Sequence, residues 1–304
     1  MRNRIVAFFL LLALLLGLSS CGKIQVEDTF TNGLKWGNTL ATEQGDWIAL
    51  RGEEDGKVGL VLYNKKKNDS RFLVEGDIYY IAMLGNKIFF KYLQGSELYC
   101  YDLAEKSYSE LLSGVMAYQV HGNTVYYITD EHGAYVYTFD LTTGEGGQID
   151  LKHTANAFWI TDHGLYYHDD TKDLFIVKPF ETDLESIIYR GVYEHCRDVV
   201  SLNGGADIAF LIDNSGTQQN TLCTYDAENA KITKHLSGSF TYFNVAGDRL
   251  ITVNDHTIVS VDYANRKNYD WGSLEEYDYL QIMSDSLILY TGDKPTIQYY
   301  PEIK

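Results

Sequence analysis

One pattern recurs along the chain and constrains its fold more than any other feature: an apolar run, a tight turn built on Gly, Asp or Asn, and a second apolar run. The turns read Gly45-Asp46-Trp47-Ile48, Gly85-Asn86-Lys87-Ile88, Gly122-Asn123-Thr124-Val125, Asp162-His163-Gly164-Leu165, Gly205-Ala206-Asp207-Ile208, Gly247-Asp248-Arg249-Leu250 and Ser284-Asp285-Ser286-Leu287. Their last residues stand 37 to 43 positions apart. A repeat of that length signals a modular architecture in which each copy buries its faces against its neighbours. A second mark sits inside the units, an apolar residue followed by a turn former. It reads Tyr63-Asn64, Tyr101-Asp102, Phe139-Asp140, Tyr225-Asp226 and Val261-Asp262, with departures at Val177-Lys178-Pro179 and Tyr300-Pro301. Asp and Asn suit such corners because their carbonyl oxygens accept hydrogen bonds from backbone two or three residues on.

The runs themselves are β-formers. Tyr occurs 25 times against only 3 prolines, and Leu98–Leu103 and Tyr135–Asp140 alternate as strands do. No segment of the repeats keeps a helical period. Four short strands in each unit of about 40 residues predict an all-β chain folded as a β-propeller. Seven four-stranded blades are expected, with six or eight as alternatives. The seventh unit runs out after a third strand, Thr296–Tyr300, so an N-terminal strand within Gln25–Phe30 is expected to complete the last blade and remove an open sheet edge.

The N-terminus reads differently. Met1–Arg4 is basic, Ile5–Leu18 is apolar, and Leu18-Ser19-Ser20-Cys21-Gly22 follows. The apolar run is too short to cross a bilayer comfortably and matches a signal-peptide core. Small residues directly before a cysteine resemble the lipobox of bacterial lipoproteins, which implies cleavage before Cys21 and lipidation of its thiol. The expected organisation is a signal peptide over residues 1–20, a lipidated cysteine and tether over 21–33, and one propeller domain over 34–304. The location implied is extracytoplasmic, with Cys21 as the membrane contact. Two or more acyl chains are needed for firm anchoring.

Gly37-Asn38-Thr39-Leu40 followed by Gln44-Gly45-Asp46-Trp47-Ile48 resembles the opening of bacterial propeller domains described as LRP1-like or DUF5050-like. Their Gly-Asp-x-Ile-Tyr-Tyr step is echoed at Asn123-Thr124-Val125-Tyr126-Tyr127 and His163-Gly164-Leu165-Tyr166-Tyr167, while Ile48-Ala49-Leu50 and Ile208-Ala209-Phe210 lack the tyrosine pair. The resemblance spans most of residues 36–304. It implies the fold and a bacterial surface lipoprotein, and it carries no catalytic residues.

The formal net charge is −17, and it becomes more negative once Arg2 and Arg4 leave with the signal. Such a charge repels phosphate backbones and excludes nucleic acid as a partner. The chain has no Cys-x-x-Cys, no P-loop and no Gly-x-Ser-x-Gly elbow, and its 8 histidines show no metal-ligand spacing. No cofactor is expected. Calcium is the one cation the acidic tips leave open, without a motif for it. His195-Cys196 is not read as a nucleophile pair, because neighbours on an extended chain point apart.

Ligand-binding candidates come from the face that carries second-to-third-strand tips and blade connections. There the expected residues are the aromatic Trp159, Phe158, Tyr80, Tyr118 and Tyr242 and the acidic Asp130, Asp169 and Asp170. Aromatic rings beside carboxylates at a channel mouth suit sugars or peptide side chains. Packing between blades is the competing explanation for the rings, and solvated turns for the acids. The expected function is a binding or scaffold module for a peptide, protein or glycan. The alternative is an enzyme processing such polymers with a carboxylate pair at the channel mouth.

Overall fold

The computed structural model describes residues 39–129, 135–182, 184–191, 194–202, 205–214, 217, 219–240 and 242–300. Cys21, the tether, the candidate closing strand within Gln25–Phe30 and Asp130 lie outside them. Among the described residues there are 27 strands and no helix. They form seven antiparallel sheets, each with its strands in chain order; six have four strands and the seventh has three. The molecule is a seven-bladed β-propeller. Blade 1 begins at Ala41–Gln44, blade 2 at Ile78–Leu84, blade 3 at Ala117–His121 and blade 4 at Ala157–Ile160. Blades 5, 6 and 7 begin at Glu194–Ser201, Phe243–Ala246 and Tyr279–Ile282.

The repeated turns fall where the period places them. Ile48, Ile88, Val125, Leu165, Ile208, Leu250 and Leu287 each lie in the second strand of a blade. Gly45, Gly85, Gly122 and Gly247 take positive φ of 55° to 60° at the first central position of their turns, as a tight hairpin with Gly there requires. The corners are hydrogen-bonded as their composition predicts. Asp140 Oδ1 accepts the Thr142 and Thr143 amides, both at 2.8 Å, and Asp102 Oδ1 accepts Ala104 and Glu105. Asp226 and Asp262 each accept the backbone amide and the side-chain amide of an Asn three residues on, Asn229 and Asn265. The residue after the corner then ties back to the first turn of its own blade: Lys65 N to Asp46 O, Leu103 N to Asn86 O, Leu141 N to Asn123 O, and Phe180 N to His163 O. In blade 7 the equivalent donor is Tyr300, bonded to Asp285 O, so the corner is Tyr299 and the strand is Lys294–Tyr299. It sits two residues earlier than the Pro301 of the Tyr300-Pro301 step suggests, because Ser286 pairs with Tyr299.

Seven apolar clusters occur among the described residues, and each joins one pair of adjacent blades. Successive residues of a strand point to opposite faces, and in a propeller both faces are covered by a neighbouring blade. Ile48 and Leu50 therefore pack toward blade 7 while Ala49 packs toward blade 2. The ring closes where blade 1 meets blade 7. Leu40, Ala41, Ile48, Leu50 and Val61 meet Met283, Ile288 and Tyr290. Around this apolar patch, Glu43 is buried between the Ser284 amide and Lys65 Nζ, the latter at 3.1 Å, and Lys65 also reaches Asp285 at 3.0 Å. Burial depresses the lysine pKa, but Glu43 and Asp285 outweigh it and the net shift is upward. Tyr290 donates its hydroxyl to Leu40 O at 3.1 Å, and Arg51 donates to Asp293 at 2.6 Å.

The corner carboxylates titrate low. The Thr143 and Thr142 amides hold Asp140 below its ordinary value, the Asn229 side chain holds down Asp226, and the Asn265 side chain holds down Asp262. At Asp102 partial burial pushes upward, and the Ala104 and Glu105 amides override it. A depressed folded-state pKa stabilises fully above the unfolded value of about 4 and is lost as pH falls through the lower folded value. The thermal midpoint should therefore drop between about pH 5 and about pH 3. A triple Asp140→Asn, Asp226→Asn, Asp262→Asn variant should lose less over that interval, as followed by circular dichroism melts.

Candidate functional site

The second strands end at the face opposite the corners, and there one register position recurs. Three residues after each repeat mark stand Arg51, Lys91, Ile128, His168, Leu211, Val253 and Tyr290. Strand parity aims this position at the next blade. Arg51 forms a salt bridge with Asp77 and lies 4.6 Å from the Tyr79 ring centroid. Lys91 donates to Val115 O and Met116 O at the entry of blade 3. Tyr290 reaches Leu40 O. Burial lowers the Lys91 pKa and raises those of the Tyr290 and Tyr118 phenols.

His168 occupies that position in blade 4, at the end of the strand Gly164–Asp169, and it is buried. Its Nδ1 is 2.6 Å from Asp170 Oδ1, and His195 at the start of blade 5 places Nδ1 3.7 Å from the same oxygen. The two imidazoles lie edge to face with centroids 5.3 Å apart. Asp170 is held in its turn by its amide, which donates to Asn156 Oδ1 at 3.0 Å. Asp169 is buried and turned inward, accepting the Thr171 amide at 3.0 Å and the Thr171 hydroxyl at 2.6 Å.

Farther along the same face, Arg197 bridges Asp198 at 3.2 Å and Asp213 at 3.4 Å. Burial chiefly raises the pKa of Tyr242, with Asp198 adding to the rise and Arg197 opposing it. Tyr242 lies edge to face with Tyr279 at 5.5 Å, and Tyr279 in turn with Tyr290 at 5.9 Å. Between blades 6 and 7 the surface opens into a cavity of about 340 Å³, within the size range of small-ligand pockets. Tyr242, Tyr277, Tyr279, Asp255, His256 and Asp278 are among its walls. Asp255 and His256 form the two-residue tip between Arg249–Asn254 and Thr257–Asp262, both at positive φ, 47° and 64°. Two left-handed residues in a hairpin tip define a type I′ turn, which favours Asn, Asp or Gly. A histidine held there carries backbone strain of a kind that clusters at binding sites. It presents His256 5.1 Å from the Tyr277 ring. The walls are fixed by hydrogen bonds from Leu274 N to His256 O at 2.7 Å and from Gly292 N to Asp278 Oδ2 at 2.7 Å.

Of the residues expected at this face, Tyr80, Tyr242 and Asp170 reach it. Tyr80 sits at a bulge with φ of 55°, its ring 5.3 Å from Lys91 Nζ. Tyr118, Phe158, Trp159 and Asp169 are buried instead. Trp159 is only 1% exposed and packs edge to face on Phe175 in the interface of blades 4 and 5. Phe158, one residue earlier, points the other way into the interface of blades 3 and 4. Both faces of a blade are interior, so a ring here has no solvent side whichever way it points. His168 and His195, 27 positions apart in the sequence, come together across two blades. The buried Cys196 and Cys223 are free thiols, as is the half-buried Cys100; burial pushes Cys196 well up and Cys223 up to about 12.

No protein-family model matches the chain, and no curated protein matches it in sequence. Solved structures do. The propeller domain of Myceliophteria thermophila Cps50 (Swd1) superposes with a TM-score of 0.60 at 14% identity, covering 89% of this chain and 99% of that one. An oligogalacturonate lyase in complex with manganese gives 0.58 at 13% identity, covering 84% and 86%. TolB from Acinetobacter baumannii gives 0.53 at 14% identity, covering 76% and 66%. At these identities the likeness is one of fold.

If Trp159 serves packing, Trp159→Ala should cost about 3–5 kcal/mol of stability. Chemical denaturation measures this directly; an unchanged midpoint would contradict the burial.

Proposed function

We propose that this protein is a lipid-anchored, extracytoplasmic β-propeller that acts as a binding module for a peptide, protein or glycan through its loop face. The observation that carries this reading is the open cavity of about 340 Å³ between blades 6 and 7, with three tyrosines, a strained histidine and two aspartates in its walls. Tyrosine rings supply flat contact area at little entropic cost, and a few polar groups fix the ligand's orientation. The carboxylates Asp255 and Asp278, in a chain of net charge −17, suit hydroxyl-rich or basic groups over anionic ones. Anchoring rests on the sequence Leu18–Gly22 and on the resemblance to DUF5050-like surface lipoproteins.

The enzyme alternative fits less well. A general acid working near neutral pH needs a raised carboxyl pKa. Among the described residues, Asp102, Asp140, Asp226 and Asp262 are pushed down instead, and these four lie on the corner face. The manganese-bound lyase among the structural neighbours shows that this fold can carry an enzyme, and nothing more about this chain.

Binding is tested with the mature chain carrying Cys21→Ser, screened on glycan and peptide arrays. Tyr277→Ala should weaken whatever binds at least tenfold, about 1.4 kcal/mol. A mature chain that binds nothing, or a variant that binds equally, would defeat the cavity reading. The anchor is tested separately. Expressed with its signal, the Cys21→Ser chain should leave the membrane pellet, and retention there would count against lipidation.

A further inference from the structure

We propose that His168, Asp170 and His195 form a site for a divalent first-row transition metal such as zinc, with one coordination position open to solvent. Each of the three offers one ligand atom, and the atoms all lie within 4.8 Å of one another. Around a tetrahedral zinc with bonds near 2.0–2.1 Å, neighbouring ligand atoms stand about 3.3 Å apart. Asp170 Oδ1 lies 2.6 Å from one imidazole nitrogen and 3.7 Å from the other, on either side of that spacing. Small rotations of the half-exposed Asp170 and His195 side chains complete the triangle; the carboxylate is 51% and the imidazole 44% exposed.

The position of His168 separates this cluster from ordinary surface pairing. At the equivalent register Arg51, Lys91 and Tyr290 are spent on the neighbouring blade, bound to a carboxylate, to two carbonyls and to a third carbonyl. His168 instead directs a buried ring nitrogen at Asp170, beside the second imidazole. Blade 4 thus supplies one rigid ligand from a strand and one from the turn after it, and blade 5 supplies the third. Two imidazoles and one carboxylate suit zinc and its first-row neighbours, with affinity rising along the usual series toward copper and nickel. Calcium, the cation that the acidic tips left open, is the wrong occupant, since it takes six to eight oxygens and this cluster offers one carboxylate. Three protein ligands with a solvent-facing gap leave room for water or for a donor group of a bound ligand. This site stands independently of the tyrosine cavity at blades 6 and 7.

The experiment is a titration of the tag-free mature chain, carrying Cys21→Ser, with zinc chloride in excess calcium and magnesium. Calorimetry and metal analysis after dialysis read the stoichiometry, and melting reads the stabilisation that site-specific binding confers. One equivalent should bind saturably and raise the thermal midpoint. His195→Ala and Asp170→Ala, both at half-exposed positions, should keep the circular dichroism spectrum and each weaken zinc at least tenfold. Cobalt should give visible d–d bands with the wild-type chain and lose them in both variants. Absence of a saturable equivalent, or zinc affinity unchanged in the two variants, would overturn the assignment.

Discussion

Everything in this molecule depends on the last blade gripping the first. A sheet with two apolar faces is stable only when both are covered, and in a linear stack the end blades would each leave one face wet. Closing the ring removes both at once. The seam between blades 7 and 1 shows how the closure is held. Glu43, Lys65, Ser284, Asp285, Tyr290 and Arg51 surround its apolar patch with hydrogen bonds and ion pairs between residues more than two hundred positions apart in the chain, or within blade 1 itself. Fully burying one aliphatic side chain stabilises by about 1.5–3 kcal/mol. Breaking a buried pair such as Glu43–Lys65 by removing one partner costs about 3–5 kcal/mol, because it strands a charge. Polar and apolar groups therefore hold this seam together.

The two ends of the propeller divide labour along the same lines. At the corner face the chain repeats itself: a tight turn, a side-chain cap, and a backbone bond from the corner back to the turn. Those features are local, so they can be built from short sequence signals. At the loop face the blades differ, and side chains there meet partners from the adjacent blade. That is the face with strained tips, an open cavity and a pair of converging imidazoles.

This division explains how much was legible in the sequence. The repeat marks at Ile48 through Leu287 fell on second strands because Gly at a positive-φ turn and alternating apolar residues are spaced by backbone geometry alone. The corner at Asp140 could be read because its bonds reach two and three residues on. Trp159 and Phe158 could not be placed on one side or the other: their sheet is covered on both faces, so the usual alternation of inner and outer residues carries no solvent signal. His168 and His195 stand in different blades, with two strands between their own, and only the angle between blades brings them together. Asp255-His256 did carry a local signal, a two-residue tip between β-runs, although nothing in it marked Tyr277 as a neighbour.

The register position shared by Arg51, Lys91, Ile128, His168, Leu211, Val253 and Tyr290 has an architectural consequence. It is a set of seven equivalent sockets spaced around one rim, each aimed at the next blade. Where the socket holds Ile, Leu or Val, packing alone satisfies it; where it holds Arg, Lys or Tyr, the side chain serves as a rivet. The ring tolerates both, so the identity of any one socket is decoupled from the integrity of the whole. A propeller of this kind can change the chemistry of one sector of its rim by exchanging a single residue and its partner on the adjoining blade, leaving the other six sectors and the corner face as they were.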